Sequence, residues 1–347
     1  MTTPDPVAAT AADPPVETNP SARRRAAIVL TLRIGATIAA IAWVISRVDP
    51  GAVGAALVRV SPVAFAIACS STALNLVVGS LRWRILLDAY GAPHVPPLGT
   101  LVRLNYIGFF YNTCLPGGVG GDVVRGIASR TAFGDSGATG AVAVVLVDRV
   151  LGLVGLLLVV AFTATVFPLP VADTNHVTAI SLAGIAVSAC AVIAIAVGRS
   201  LAHHLPAPLR TYAERLPAIV RKGPFLTAIL LSLVTQSVVA WTGHVIVQSL
   251  APEIALTDSL VVVPLAMATA FLPFLVGGTG AREEVFAQLY GPLGVPRADA
   301  IAASLLVWLT QIVVALVGGL LPVPRSGGAT AQAPAAGDAS AGQPKST

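Results

Sequence analysis

The chain has 347 residues, of which 55% are apolar and 11% charged, with a mean hydropathy of +0.83 and a formal net charge of +5. A soluble domain of this length needs far more polar side chain to cover its surface, so this balance excludes a soluble globule and makes the bilayer the expected solvent. The basic excess comes mostly from arginines at the ends of apolar runs, which points to membrane orientation and anionic headgroups and away from nucleic acid.

In chain order, residues 1–25 are rich in Ala, Pro and Thr and are expected to form a disordered cytoplasmic tail. A membrane-spanning helix needs about 20 apolar residues. Runs of that kind occur at 26–46, 61–81, 139–167, 177–198, 225–249 and 299–321, and they should be helical because lipid offers the backbone no partners. The first follows Arg23-Arg24-Arg25 and reads as a signal anchor: its apolar core is too long for a signal peptide, and no small-residue cleavage site follows Ile45-Ser46-Arg47. Residues 322–347 form a second tail of low-complexity composition, also expected to be disordered and cytoplasmic.

Arg-rich segments stay in the cytoplasm, which puts Arg23-Arg24-Arg25, the Arg82/Arg84 end of the second span and the 199–224 loop inside. The acidic loops at Asp173 and at Glu253/Asp258, which lack Lys and Arg, then lie outside. The expected protein is an all-α, polytopic bundle in the plasma membrane with both termini cytoplasmic. The 47–60 loop goes against the rule, since it carries Arg47 and Arg59 to the outside.

Two apolar segments do not read as ordinary spans. Leu98–Leu115 runs into Pro116-Gly117-Gly118-Val119-Gly120-Gly121-Asp122, and Leu260–Val276, which contains Pro264 and Pro273, runs into Gly277-Gly278-Thr279-Gly280-Ala281-Arg282-Glu283. Each is expected to enter the membrane as a half-helix, break at its glycines and return. The transmembrane domain at 26–321 then contains six full spans and two re-entrant segments, arranged as pseudo-repeats 61–167 and 225–321 of opposite orientation. Such inverted repeats with broken helices at matching positions point to a transport site near the midplane. Eight full spans with glycine kinks is the alternative.

The chemistry concentrates at the two breaks. Gly117, Gly118, Gly120 and Gly121 can expose successive N–H groups to an anion at the start of a short helix, with Arg125 three residues past Asp122 on the same face; equally, Asp122 can simply cap that helix. Asp148 and Arg149 fall inside the third span, where a charge costs roughly 2.5–3.5 kcal/mol on insertion scales, so neither should face lipid. Being adjacent they point about 100° apart. Arg149 is expected to pair with Asp122 or a lipid phosphate, and Asp148 with Arg82, Arg84 or Arg125. At the second break Arg282 is expected to bind an anionic group, whereas Glu283 and Glu284 suit the N-terminus of a helix. Weaker polar stripes are Asn105 with Asn112, then Gln236, His244 and Gln248, and Ser304, Trp308 and Gln311. Cys69, Cys114 and Cys190 have neither disulfide nor metal spacing.

No phosphate loop, zinc motif or soluble catalytic domain can be marked, so no cofactor is expected and an enzyme is the less favoured reading. Arg82-Trp83 at the end of a span, Asn112…Leu115-Pro116-Gly117…Gly120-Gly121-Asp122…Arg125, an acidic-Arg pair in the next span, and Gly277-Gly278-Thr279-Gly280-Ala281-Arg282-Glu283 together resemble the flippase-like family built on the transmembrane region of lysylphosphatidylglycerol synthase. The resemblance runs from about 28 to 321. It implies movement of an anionic or aminoacylated phospholipid, or of a polyprenyl-linked lipid, between leaflets. The residues expected to face the substrate, from the breaks, buried charges and polar stripes above together with these motifs, are Arg82, Arg84, Asn105, Asn112, Pro116, Gly117, Gly118, Gly120, Gly121, Asp122, Arg125, Asp148, Arg149, Gly277, Gly278, Gly280, Arg282 and Glu283. The chain departs from the family in lacking an aminoacyl-transferase domain, in having Asp148 where Glu is usual, and in having Thr279 where an apolar residue is more common. Two further readings remain open: a membrane-embedded transferase with Asp122, Asp148 or Glu283 as base, and a non-transporting partner of a lipid synthase or glycosyltransferase.

Overall fold

The computed structural model describes residues 31, 50–114, 120–167, 174–197, 200, 218–269 and 280–322. The expected tails, the span at 26–46 and most of the 199–224 loop lie outside the described residues, as do Pro116, Gly117, Gly118, Gly277, Gly278 and Thr279. Among the described residues the chain is all helical: α1 (Pro50–Arg59), α2 (Pro62–Ala89), α3 (Leu98–Cys114), α4 (Gly120–Ala128), α5 (Gly137–Val166), α6 (Thr174–Val197), α7 (Lys222–Gln248), α8 (Leu256–Ala268), α9 (Ala281–Tyr290) and α10 (Arg297–Leu320). A 3-10 turn, Arg130–Ser136, joins α4 to α5, and another, Gly291–Leu293, joins α9 to α10.

Among the described residues α2, α7, α10 and most of α5 are long and apolar enough to cross a membrane. Their outer faces are apolar, as befits helices that meet lipid on one side and protein on the other. Leu74, Leu146, Phe162, Leu230 and Leu316 accordingly lie on the outer surface. Helix α6, at the expected 177–198 run, is 24 residues long and carries the apolar stretch Ser181–Val197, and α8 is a shorter apolar helix. Pro264 sits inside α8 without ending it.

Helices α3 and α4 fold back on each other, and so do α8 and α9. Each hairpin belongs to a set of four helices, α2–α5 or α7–α10, and exchanging the two sets leaves the pattern of packed pairs unchanged. Thus α3 packs on α10 as α8 packs on α5, α4 on α5 as α9 on α10, and α2 on α10 as α7 on α5. The counterparts α2 and α7 are themselves extensively packed and run antiparallel. At one end Ala89 accepts the Val220 N–H at 2.8 Å and Asp88 pairs with Arg221 at 2.6 Å; at the other, Ala68 shares an apolar cluster with Ile246 and Val247.

Lipid does not drive apolar helices together, so close backbone approach at small residues has to hold them. A Cβ on Gly121 would fall 1.8 Å from the Gly108 carbonyl oxygen, one on Gly318 2.0 Å from that of Tyr106, and one on Gly155 2.6 Å from that of Ser232. These contacts fix α4 on α3, α10 on α3, and α5 on α7. Replacing Gly318 with Ala should therefore lower the stability of the detergent-solubilised protein by about 1–3 kcal/mol, the usual cost of overpacking. Gly223→Ala, where nothing lies within 4 Å, should leave it within about 0.5 kcal/mol. Thermal unfolding of the two variants side by side checks this.

Candidate functional site

The α3–α4 hairpin carries its polar groups at the closed end. Asn112, near the end of α3, accepts the Gly121 N–H through Oδ1 at 2.8 Å, and its Nδ2 donates to Asp122 Oδ1 at 3.5 Å. The Gly121 N–H, expected to face an anion, is thus committed to Asn112, and the hairpin uses that group to hold its own shape. Gly120 opens α4, half-buried.

One helical turn beyond Asp122, Arg125 reaches into the protein. Its guanidinium donates to Asp148 Oδ2 at 3.0 Å, lies 3.7 Å from Asp122 and stacks over the fully buried Trp83 ring at 4.3 Å. The other oxygen of Asp148 accepts Arg82 Nε at 2.8 Å, while Arg82 Nη1 donates to Ser232 and Thr235 on α7 at 3.1 and 3.3 Å. Arg149 turns away from Asp148, as adjacent helical residues must, and pairs with Asp122. Arg82, Arg125 and Asp148 are buried; the Arg149 side chain is 32% exposed.

These five charges line one cavity of about 390 Å³, completed by Asn105, Asn112, Gln236, Trp308 and Gln311 among others. Asn105 is held by the Leu76 carbonyl at 2.9 Å and Ser80 at 3.1 Å, and Gln236 by the Gly152 carbonyl at 3.0 Å. Three guanidinium groups face two carboxylates, so the cavity carries a net single positive charge. Both carboxylates are fully engaged by arginine, which leaves the cavity equipped to attract an anion and poorly equipped to abstract a proton.

Two expectations require correction. Arg84 is exposed and lies off this cavity, because two helical steps turn it about 200° from Arg82. The second break does not join the same cavity among the described residues. Arg282 and Glu283, 2% and 3% exposed, pair with each other; Arg282 Nε donates to Ser304 at 3.0 Å, and Ser304 donates to Glu283 at 3.2 Å. Glu283 Oε2 also accepts the Gly280 N–H at 2.6 Å, which caps α9, and Gly280 has the positive φ of 88° that makes glycine suitable there. This cluster is neutral and closed. Gly280 faces a separate, almost wholly apolar pocket of about 590 Å³ beside Leu265 and Leu289.

Of the weaker stripes, Gln236, Trp308, Gln311, Asn105 and Asn112 reach the charged cavity. His244 instead meets Ser259 at 3.1 Å, and Gln248 is exposed. The clearest omission from the expected set is Trp83, the platform under Arg125. Its position beside Arg82 was the available signal. Gly108 and Gly152, which also line the cavity, were visible only as isolated mid-helix glycines.

The model of the lysylphosphatidylglycerol synthase transmembrane region matches residues 27–319. The chain belongs to this family. No curated protein matches it. Membership together with the apolar helices makes this a multi-pass membrane protein related to lipid metabolism. Within the family domain, Asp148 is the group whose removal does most damage, since it would leave two buried arginines without a counter-charge. Asp148→Asn should cost about 3–5 kcal/mol of stability, as breaking a buried pair does elsewhere. Arg149→Gln, at the partly open edge, should cost under about 1 kcal/mol. Melting curves of both variants in one detergent distinguish these outcomes.

Proposed function

We propose that this protein moves an anionic lipid between leaflets, holding the headgroup in the arginine-lined cavity while the acyl chains stay in the bilayer. The observation that carries this reading is the net positive charge of a cavity set among membrane-crossing helices, where burying three arginines against two carboxylates needs an anion to complete it. Arg149, the most exposed of the three, makes first contact with the phosphate; Arg125 and Arg82 set the field behind it. A transferase using Asp122, Asp148 or Glu283 as base is less well supported, because each of those carboxylates is engaged by arginine.

On this reading the two four-helix sets are inverted repeats in the bilayer, each a span, a re-entrant hairpin and a span. The antiparallel contact of α2 with its counterpart α7 supports that orientation, since a two-fold axis along the helices would leave them parallel. The Asp88–Arg221 pair joins two ends both assigned to the cytoplasm. Arg59, one of the two arginines assigned to the outside, pairs with Asp299 at the start of α10, which lowers the cost of that placement. The plasma membrane, with both termini inside, remains the proposed location. The headgroup is the partner of first importance, with a synthase or glycosyltransferase as its supplier.

Reconstitution tests the reading. Proteoliposomes with an acyl-labelled anionic lipid should show transbilayer exchange well above empty liposomes, and Arg149→Gln should reduce the rate at least tenfold while the protein remains folded. Exchange equal to empty liposomes for every anionic lipid tried would overturn it.

A further inference from the structure

His244 lies on α7, one helical turn before the end of that helix at Gln248, and is 4% exposed. An ionisable group buried in a membrane-crossing helix is costly to carry and marks a place where charge is handled. The residue before it, Gly243, lets α8 come in close: a Cβ there would fall 2.5 Å from Val263. His244 Nδ1 meets the Ser259 hydroxyl at 3.1 Å, and Ser259 in turn accepts the Tyr290 O–H at 2.9 Å. One line of polar groups thus links α7, α8 and α9 inside an apolar cluster that includes Ile246, Val263 and Phe286. On the proposed orientation this joint lies in the outer half of the bilayer.

The direction of these hydrogen bonds sets the state of the ring. Ser259 has one hydrogen and already accepts that of Tyr290, so it donates its own to His244 Nδ1, which accepts only while the imidazole is neutral. A proton added at Nδ1 turns that acceptor into a donor. Ser259 then donates to Tyr290 instead, and the hydrogen of the fully buried Tyr290 loses its acceptor. A buried donor without a partner is penalised, and a loosened joint that admits water relieves the penalty. A proton on His244 therefore favours loosening of α8 between α7 and α9. The carboxylate whose charge acts on the ring is Asp258, beside Ser259 on α8; it is half-buried and accepts the Ala255 N–H at 3.0 Å. Charged groups on the other elements packed here are already paired: Glu283 with Arg282, Glu284 with Arg297, Asp299 with Arg59, and Asp148 on α5 with Arg82 and Arg125. Glu253, between α7 and α8, is exposed, and Cys69 on α2 is half-buried.

We propose that His244 is a proton-binding site that controls the seating of α8 and, resting on the reading of the charged cavity as a lipid path, the rate at which lipid moves. Helix α8 packs on α5, which carries Asp148 and Arg149, so its position reaches the wall of the charged cavity. The line of hydrogen bonds also supplies a route for the proton. One arriving at the Tyr290 oxygen displaces the phenolic hydrogen to Ser259, and Ser259 passes its own to Nδ1, so each oxygen ends with the hydrogen count it began with. The two halves then divide the work: the first holds the anion, the second takes up the proton.

Trp241 reports the proton directly, because its ring centroid lies 5.9 Å from that of His244 and a protonated imidazole quenches indole emission. Titration of the detergent-solubilised protein from about pH 8 to about pH 5, the range in which histidine changes charge, should lower tryptophan fluorescence in one single-site step. The step should vanish in Trp241→Phe and in His244→Asn, whose carbonyl oxygen can still accept from Ser259 but takes up no proton; His244→Gln replaces the Asn variant if that one folds poorly. In proteoliposomes, exchange of acyl-labelled phosphatidylglycerol, whose own charge is constant over this range, should rise about tenfold on acidification, an ordinary size for coupling between two sites. His244→Asn should keep the parent's rate at the alkaline end throughout. A fluorescence step that persists in His244→Asn, or exchange that responds to pH alike in parent and variant, overturns the inference. A histidine-dependent step without exchange at any pH sinks transport alone, whereas exchange that ignores pH sinks the control by His244 and leaves transport standing.

Discussion

The carboxylate of Asp148 is divided between two arginines from different parts of the chain, Oδ1 to Arg82 on α2 and Oδ2 to Arg125 on α4. In a medium with little water, neither arginine can be left without a counter-charge, and so this one group sets the rotation of α5 against α2 and the depth of the α3–α4 hairpin together. Hydroxyls of Ser232 and Thr235 extend the network to α7, from the other half of the molecule. The next residue, Arg149, necessarily points elsewhere and takes Asp122, which belongs to the helix already fixed by Arg125. A chain of alternating charges results, Arg82–Asp148–Arg125–Asp122–Arg149, that begins and ends on arginine.

Among the described residues, the second half repeats the packing and not the chemistry. Its hairpin brings Arg282 to the corresponding break, but Glu283 follows directly and closes the charge within two residues, with Ser304 completing the polar contacts. One half therefore holds an open, positively charged cavity and the other a neutral brace for α9 against α10. Symmetry of backbone packing at small residues does not require symmetry of function, because the glycine crossings that fix the helices involve carbonyl oxygens common to any sequence.

The elements were legible where they depend on local hydropathy. The runs at 61–81, 139–167, 177–198, 225–249 and 299–321 became α2, α5, α6, α7 and α10, and each apolar segment that leads into a glycine-rich stretch became a helix followed by a shorter one packed against it. In the site, the pairing of Arg149 with Asp122 could be foreseen from the cost of an unpaired charge and a rotation of 100° per residue. The same reasoning offered three arginines for Asp148 and could not choose among them, since the choice depends on contacts up to 66 residues apart in sequence. Arg84 was carried along by its nearness to Arg82, although helical rotation alone sets it on another face. Arg282 was ambiguous for a different reason: an arginine beside two glutamates after glycines fits an anion site and a capped helix equally, and the structure adds its contact with Ser304 on α10.

On the proposed reading, the internal pairing of the arginines also bears on how tightly an anion would be held. A phosphate entering the cavity meets no bare guanidinium; at Arg149 it competes with Asp122, and at Arg125 with two carboxylates and an aromatic face. The net positive charge favours entry, whereas the existing pairs reform when the ligand departs and so weaken its hold. A carrier or pathway needs this balance, because a site that binds its cargo too strongly cannot release it. A cavity of three unpaired arginines would attract phosphate more strongly, but in lipid it would be too costly to fold when empty and too slow to empty when full. The two aspartates relieve both difficulties with the same contacts.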